Sequence, residues 1–204
     1  MNGITAIGDN YLTFLLNSVI IIVESKGENK MIKIRRNVFE TNSSSVHSIV
    51  VCNEALNDNS RPFIFFSLGE FGWSMDVLDD DWSRASYFYT AACALRRHDV
   101  KNEIIDLLAP LNIECVFNEE NSPQYTDYNG FRYLDNGSID HVEECQEFVD
   151  TLMNDGKMLA RFLLDDRSFV ITGNDNCDDI DREWMEKKEE RANTYAHTTF
   201  YKRN

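Results

Sequence analysis

No two cysteines of this chain stand close enough in sequence to grip a zinc ion or form a redox pair. The five lie at 52, 93, 115, 145 and 177. No CxxC or CxxxC occurs, which excludes a zinc ribbon and a thioredoxin-type site. An odd count with no export signal points to reduced core thiols in a cytosolic compartment. Basic residues are also scarce. Lys and Arg number 20 against 35 Asp and Glu, a formal net charge of −15. That balance opposes non-specific binding to nucleic acid or to anionic membranes, because phosphate contacts need Lys and Arg. It suits basic partners instead.

Long apolar runs are missing too. The strongest, YLTFLLNSVIIIV at 11–23, is interrupted by Asn17 and Ser18. It is too short for a bilayer, which needs about 20 residues. Asp9 precedes it and no Lys or Arg does, unlike a signal peptide. A buried strand or a short helix is expected there. There is no HxxxH, GxxxxGK[ST], GxGxxG or GxSxG, so the usual signatures of zinc proteases, phosphate loops, dinucleotide folds and serine hydrolases are absent. No internal repeat or low-complexity tract is present. The sequence names no cofactor and no metal.

What is present is a globular composition, 43% hydrophobic and 12% aromatic over 204 residues. A chain of this length buries roughly 70% of its unfolded surface without a disulfide or metal staple. Met31 opens MIKIRRNVFE, which has the form of a natural start followed by a strand. Residues 1–30 are therefore expected to be an N-terminal extension, through a misassigned start or as an appendage linked by ESKGENK (24–30). Residues 31–204 are expected to form one globular domain of α/β or α+β class, with a single mixed sheet and several amphipathic helices.

Strands are expected at 31–36, 46–52, 62–68, 113–117, 131–134, 168–172 and, as an edge, at TTFY near the C-terminus. VHSIVVC (46–52) is apolar on both faces from Ile49 and should be buried. Residues 82–96 have helical period, with Trp82, Ala85, Phe88, Tyr89, Ala92 and Leu95 on one face. Asp79, Asp80 and Asp81 precede that helix and suit its positive end better than a metal ion. Asp99 is placed to cap a short helix that Pro110 ends. Residues 118–130 should be a polar loop. Further helices are expected at 142–153, 157–164 and 179–191.

The segment with most polar chemistry is FETNSSSVHS (39–48). In an extended chain Ser43, Ser45 and His47 share a face, with Ser45 and His47 about 7 Å apart at Cα. That brings hydroxyls and an imidazole into one neighbourhood, with Glu40 close in sequence. The alternative is a loop whose hydroxyls bind nearby backbone, with His47 opening the next strand. The second candidate is Asp140-His141. Were a helix to begin there, Asp140 would cap it, with Glu143 at the third position. His98 and His197 have no special setting. Gly173–Asn176 (GNDN) reads as a turn after a strand.

FETNSSSVHS, after the basic strand IKIRR, resembles the opening of a family of uncharacterised proteins from bacteriophages and their Gram-positive hosts. GEFGW (69–73), SYFYTAA (86–92), IDH (139–141) and GNDN (173–176) resemble further parts of its pattern, in islands from about 31 to 176. The family pattern has Gln-Ser after the Asp-His, where this chain has Val142-Glu143. Residues 1–30 fall outside it. The resemblance implies a phage-like context in a bacterial cytoplasm and no particular reaction.

Two functions follow as expectations. One is an enzyme performing hydrolysis or group transfer on a small or nucleotide-like substrate. His47 is its general base, with Ser43, Ser45, His141 and Glu40 or Asp140 around it. The other is an acidic protein that binds and blocks a basic host factor, such as a defence nuclease, through Asp79–Asp81, Glu119–Glu120 and Asp178–Asp181.

Overall fold

The computed structural model describes residues 4–6, 11–16, 19–24, 31–36, 46–56, 63–173 and 179–202; side chains are described for 47–56, 63–173 and 183–200. The chain divides into two compact units, Met1–Ser43 and Ser44–Asn204.

The first unit is an antiparallel meander. Strands β1 (Ile4–Ala6), β2 (Tyr11–Leu16), β3 (Val19–Glu24) and β4 (Met31–Arg36) pair in sequence order. The apolar run is thus two strands, paired from Tyr11↔Glu24 to Leu16↔Val19. The interruption at 17–18 falls between them, and the β-branched VIIIV stretch suits the second.

The second unit mixes strands and helices, an α+β arrangement. Its strands are shared among several ladders rather than gathered in one sheet. The largest ladder takes in β5 (Val46–Cys52), β8 (Asp76–Leu78), β13 (Phe169–Gly173) and β14 (His197–Lys202), in the order β14-β5-β13-β8 and antiparallel throughout. Apart from it, β6 (Phe63–Phe66) pairs in parallel with β9 (Glu114–Phe117), and β7 (Glu70–Phe71) with β12 (Ser138–Ile139). Strands β10 (Tyr125–Tyr128) and β11 (Phe131–Leu134) form a hairpin. The expected polar loop therefore contains a strand. Its signal was Asn129-Gly130, both at positive φ as a two-residue hairpin turn requires.

The main sheet is covered on both faces, as the apolar sequence of β5 requires. Ile49, Val51, Val170 and Leu78 belong to the larger core. That core also takes in helices α1 (Asp81–Arg96), α2 (Lys101–Leu108), α3 (Gln146–Asn154) and α4 (Gly156–Leu164). On the opposite face Val50, Phe169 and Ile171 pack with Ala192, Met185 and Tyr195, from helix α5 (Asp179–Ala192) and the turn after it. No described helix is long and apolar enough to cross a membrane.

Helix α1 departs from its expected amphipathic form. Every residue from Arg84 to Cys93 is buried, while Trp82 is exposed. Asp80 caps it, its carboxylate accepting from Ser83 N at 2.9 Å. Arg84 is fully buried. Its guanidinium donates to the carbonyls of Asp79 (2.6 Å), Ser168 (2.7 Å) and Leu163 (2.9 Å). The Leu163 carbonyl lies at the C-terminus of α4, where positive charge is favoured.

Asn154-Asp155-Gly156 ends α3, and Gly156 begins α4. Asp155 caps it through Lys157 N and Met158 N. A Cβ on Gly156 would stand 2.5 Å from the Leu107 carbonyl oxygen, so the residue lets α4 approach α2.

Candidate functional site

His47 is the second residue of β5, opposite Thr172 of β13, and is 3% exposed. Strand alternation turns its side chain, with those of Ile49 and Val51, toward the larger core. There its Nδ1 lies 2.9 Å from the hydroxyl of Tyr87, in the buried middle of α1. The same hydroxyl lies 3.2 Å from Cys145 Sγ. Cys145 ends the 3-10 turn Val142–Cys145, just before α3. Imidazole, phenol and thiol thus form a buried hydrogen-bonded row.

The far edge of the imidazole meets Gly72. This residue has φ +90°, and a Cβ built on it would stand 3.2 Å from both Cε1 and Nε2 of His47 and 3.0 Å from Asp140 Cβ. Only glycine allows that approach without strain. Asp140 is brought there by the parallel pairing of β7 with β12, which continues as a bond from Asp140 N to the Phe71 carbonyl at 3.0 Å. The Phe71 ring packs edge-on against Tyr87, with centroids 5.4 Å apart. Four separate stretches of sequence, 46–52, 69–73, 86–92 and 139–145, therefore meet around one imidazole. His47 lies beneath the turn 69–74, in which Glu70, Trp73 and Ser74 are exposed.

The row can be protonated in two ways. In one, Tyr87 O–H donates to the Cys145 sulfur and His47 Nδ1–H donates to the phenol oxygen, leaving a lone pair on Nε2. In the other, the thiol donates to Tyr87, Tyr87 donates to Nδ1, and Nε2 carries the proton. Burial, reinforced by Cys145, holds the Tyr87 hydroxyl well above its ordinary pKa, so it stays a neutral phenol able to do either.

His141 follows Asp140 in the chain. It sits at φ +52° before the 3-10 turn, with Nδ1 3.6 Å from Glu143 Oε1 and 3.8 Å from Glu144 Oε1. Ser43, Ser45 and Glu40 lie outside the described residues, as does most of GNDN beyond Gly173. Asp140 does not cap a helix. His141 holds the position before the 3-10 turn with no side-chain cap, and the α-helix proper starts at Gln146.

Tyr87, Cys145 and Gly72 were not singled out by sequence. Tyr87 lies outside the apolar face assigned to α1, and a positive φ at Gly72 leaves no trace beyond the glycine itself.

The acidic residues expected to form a docking face are partly engaged within the chain. Asp79 pairs with Lys188 and Glu119 with Lys101. Asp178 lies outside the described residues. The described cysteines 52, 93, 115 and 145 form no disulfide. Burial pushes the Cys93 thiol up to about 11, so it is inert at neutral pH. No protein-family model, no curated protein and no solved structure matches the chain.

Proposed function

We propose that the protein is an enzyme that performs hydrolysis or group transfer on a small substrate, with His47 as the group that moves the proton. The observation that carries this reading is the bond between His47 Nδ1 and the Tyr87 hydroxyl at the meeting point of four chain segments. A ring held through Nδ1 presents Nε2 in a fixed direction, the arrangement a general base needs. In the state with Nδ1–H donating to Tyr87, Nε2 is the basic nitrogen, and the turn 69–74 above it must move before a hydroxyl or water can reach it. The imidazolium that results from proton uptake keeps its bond to the phenol oxygen. Tyr87 is then a positioning residue, and Ser43 and Ser45, which lie outside the described residues, are candidate nucleophiles on sequence alone. The sequence stretches that resemble the phage family, FETNSSSVHS, GEFGW, SYFYTAA and IDH, also contain His47, Gly72, Tyr87 and Asp140. This supports a phage-type setting for the same site.

The test is a panel of chromogenic carboxylic esters, phosphate monoesters and diesters, and nucleoside derivatives, assayed with wild type, His47→Gln and Tyr87→Phe. The expected result is turnover of one class by wild type. It should fall by about 10²–10⁴-fold in a folded His47→Gln protein, the usual share of a general base. Tyr87→Phe should fall less and shift the pH profile. Wild-type rates in folded His47→Gln, or no turnover of any class by wild type, would overturn the proposal.

A further inference from the structure

We propose that residues 72–74 are a lid over His47, hinged where Phe71 meets Gly72 and latched by the Thr172 hydroxyl. The inference rests on His47 being the reacting group and adds how its basic nitrogen is reached. The Nδ1 edge of the imidazole faces Tyr87 in the core, and the Nε2 edge faces Gly72. Gly72 is buried, yet the next two residues, Trp73 and Ser74, are exposed. The cover over that edge of the ring is therefore one residue thick.

The residue before the lid is fixed. Phe71 offers its carbonyl to Asp140 N at 3.0 Å, and its ring packs against Tyr87. Gly72, at φ +90°, has no Cβ to restrict rotation just beyond that anchor. The far end runs through Met75 into β8. Between the two ends the ties are long. The Trp73 indole donates to Ser138 Oγ at 3.4 Å, and the Thr172 hydroxyl donates to the Ser74 carbonyl at 3.2 Å. Both exceed the usual lengths for their donor types. Half of Trp73 is already exposed, so opening uncovers little apolar area. A segment held in this way opens at a lower free energy than the core strands. Because Phe71 stays in place, Tyr87 keeps its hold on Nδ1 while Nε2 is uncovered.

The latch springs from the strand pair that carries the imidazole. Thr172 lies directly opposite His47 in the β5–β13 ladder and is fully buried. Opposed residues share a face, with Cβ atoms about 4.5–5.5 Å apart. Closed, the lid keeps water from the ring; open, it admits a substrate.

Carbethoxylation of the full chain by diethyl pyrocarbonate, located by peptide mass spectrometry, measures access to His47. Half-exposed His98 is the internal reference. In wild type His47 should react more slowly than His98, at a rate that urea below the unfolding transition leaves unchanged. Ser138→Ala and Thr172→Val each remove one tie. Each should raise the His47 rate by about 2–10-fold, the weight of one net hydrogen bond, with His98 unaffected. Ser138 is only half-buried, so Ser138→Ala keeps the test valid if Thr172→Val is unstable. A His47 rate equal to that of His98 in wild type would overturn the proposal. So would a rate that rises only with global unfolding, or one left unchanged by the folded variants. No substrate enters the measurement, so failure to open and failure to catalyse are separate results.

Discussion

Arg84 and Gly72 show how much of this fold rests on single residues that a hydropathy pattern misreads. The Arg84 guanidinium satisfies three carbonyls, two of them in fully buried contacts, and it joins the start of α1, the end of α4 and the approach to β13. Arg84→Met keeps most of the volume but leaves those carbonyls without these donors. We expect a loss of about 3 kcal/mol or more in urea unfolding, because each orphaned buried acceptor costs about 1–3 kcal/mol. Gly72→Ala is expected to cost about 1–3 kcal/mol in the same measurement, from positive φ and from crowding against His47 and Asp140. It should also disturb the imidazole, visible as a shift of the His47 ring resonances. A Gly72→Ala protein with wild-type stability and unshifted resonances would show that the turn is not fitted to the ring.

At the scale of elements, the end of α1 carries a pH-sensitive contact. His98 is bonded to Glu103 of α2 at 2.7 Å and to the Arg96 carbonyl at 2.8 Å. The bond to Glu103 raises its pKa, and the Arg96 carbonyl adds to the rise. A raised histidine pKa stabilises the fold while the ring is protonated. The contribution is present in full below the unfolded value, about pH 6.5, and is lost as pH rises through the folded value. The side chain is half exposed, so the effect is small. We expect the His98 ring in nuclear magnetic resonance to titrate above the ordinary histidine range in wild type and to return toward it in Glu103→Gln.

Most elements of the second unit were legible because their periods are strong. β5, β13, α1, α3, α4 and α5 fall where hydropathy puts them. Less local features were not. The parallel pairs β6–β9 and β7–β12 depend on partners distant in sequence, and no local pattern states which strands will meet. Asn154-Asp155-Gly156 reads as a helix stop, and α3 does stop there, but the close approach of Leu107 that Gly156 permits has no local signal. Of the candidate site, His47 was legible because a polar ring next to an apolar strand is conspicuous. Tyr87 and Cys145 were not, since a tyrosine in a helix and a lone thiol each look like core.

Across the second unit as a whole, stability should be graded around the main sheet. β5 and β13 are paired on both sides and covered on both faces. Their amides should exchange with solvent only on global unfolding, and those of the β10–β11 hairpin far sooner. Hydrogen exchange read by mass spectrometry checks this. Equal protection in hairpin and sheet would show that this unit opens as one body.

The pairing order of that sheet has a consequence for biosynthesis. β5 takes its neighbours from β13 and β14, and the contacts beside it span 116 residues (Cys52 to Ser168) and 145 residues (Asn53 to Thr198). Chains emerge from the ribosome N-terminus first, so the apolar strand bearing His47 appears long before either neighbour exists. A nascent chain would carry both unpaired edges of β5 through most of its translation, exposed to chaperones and to other nascent chains alike.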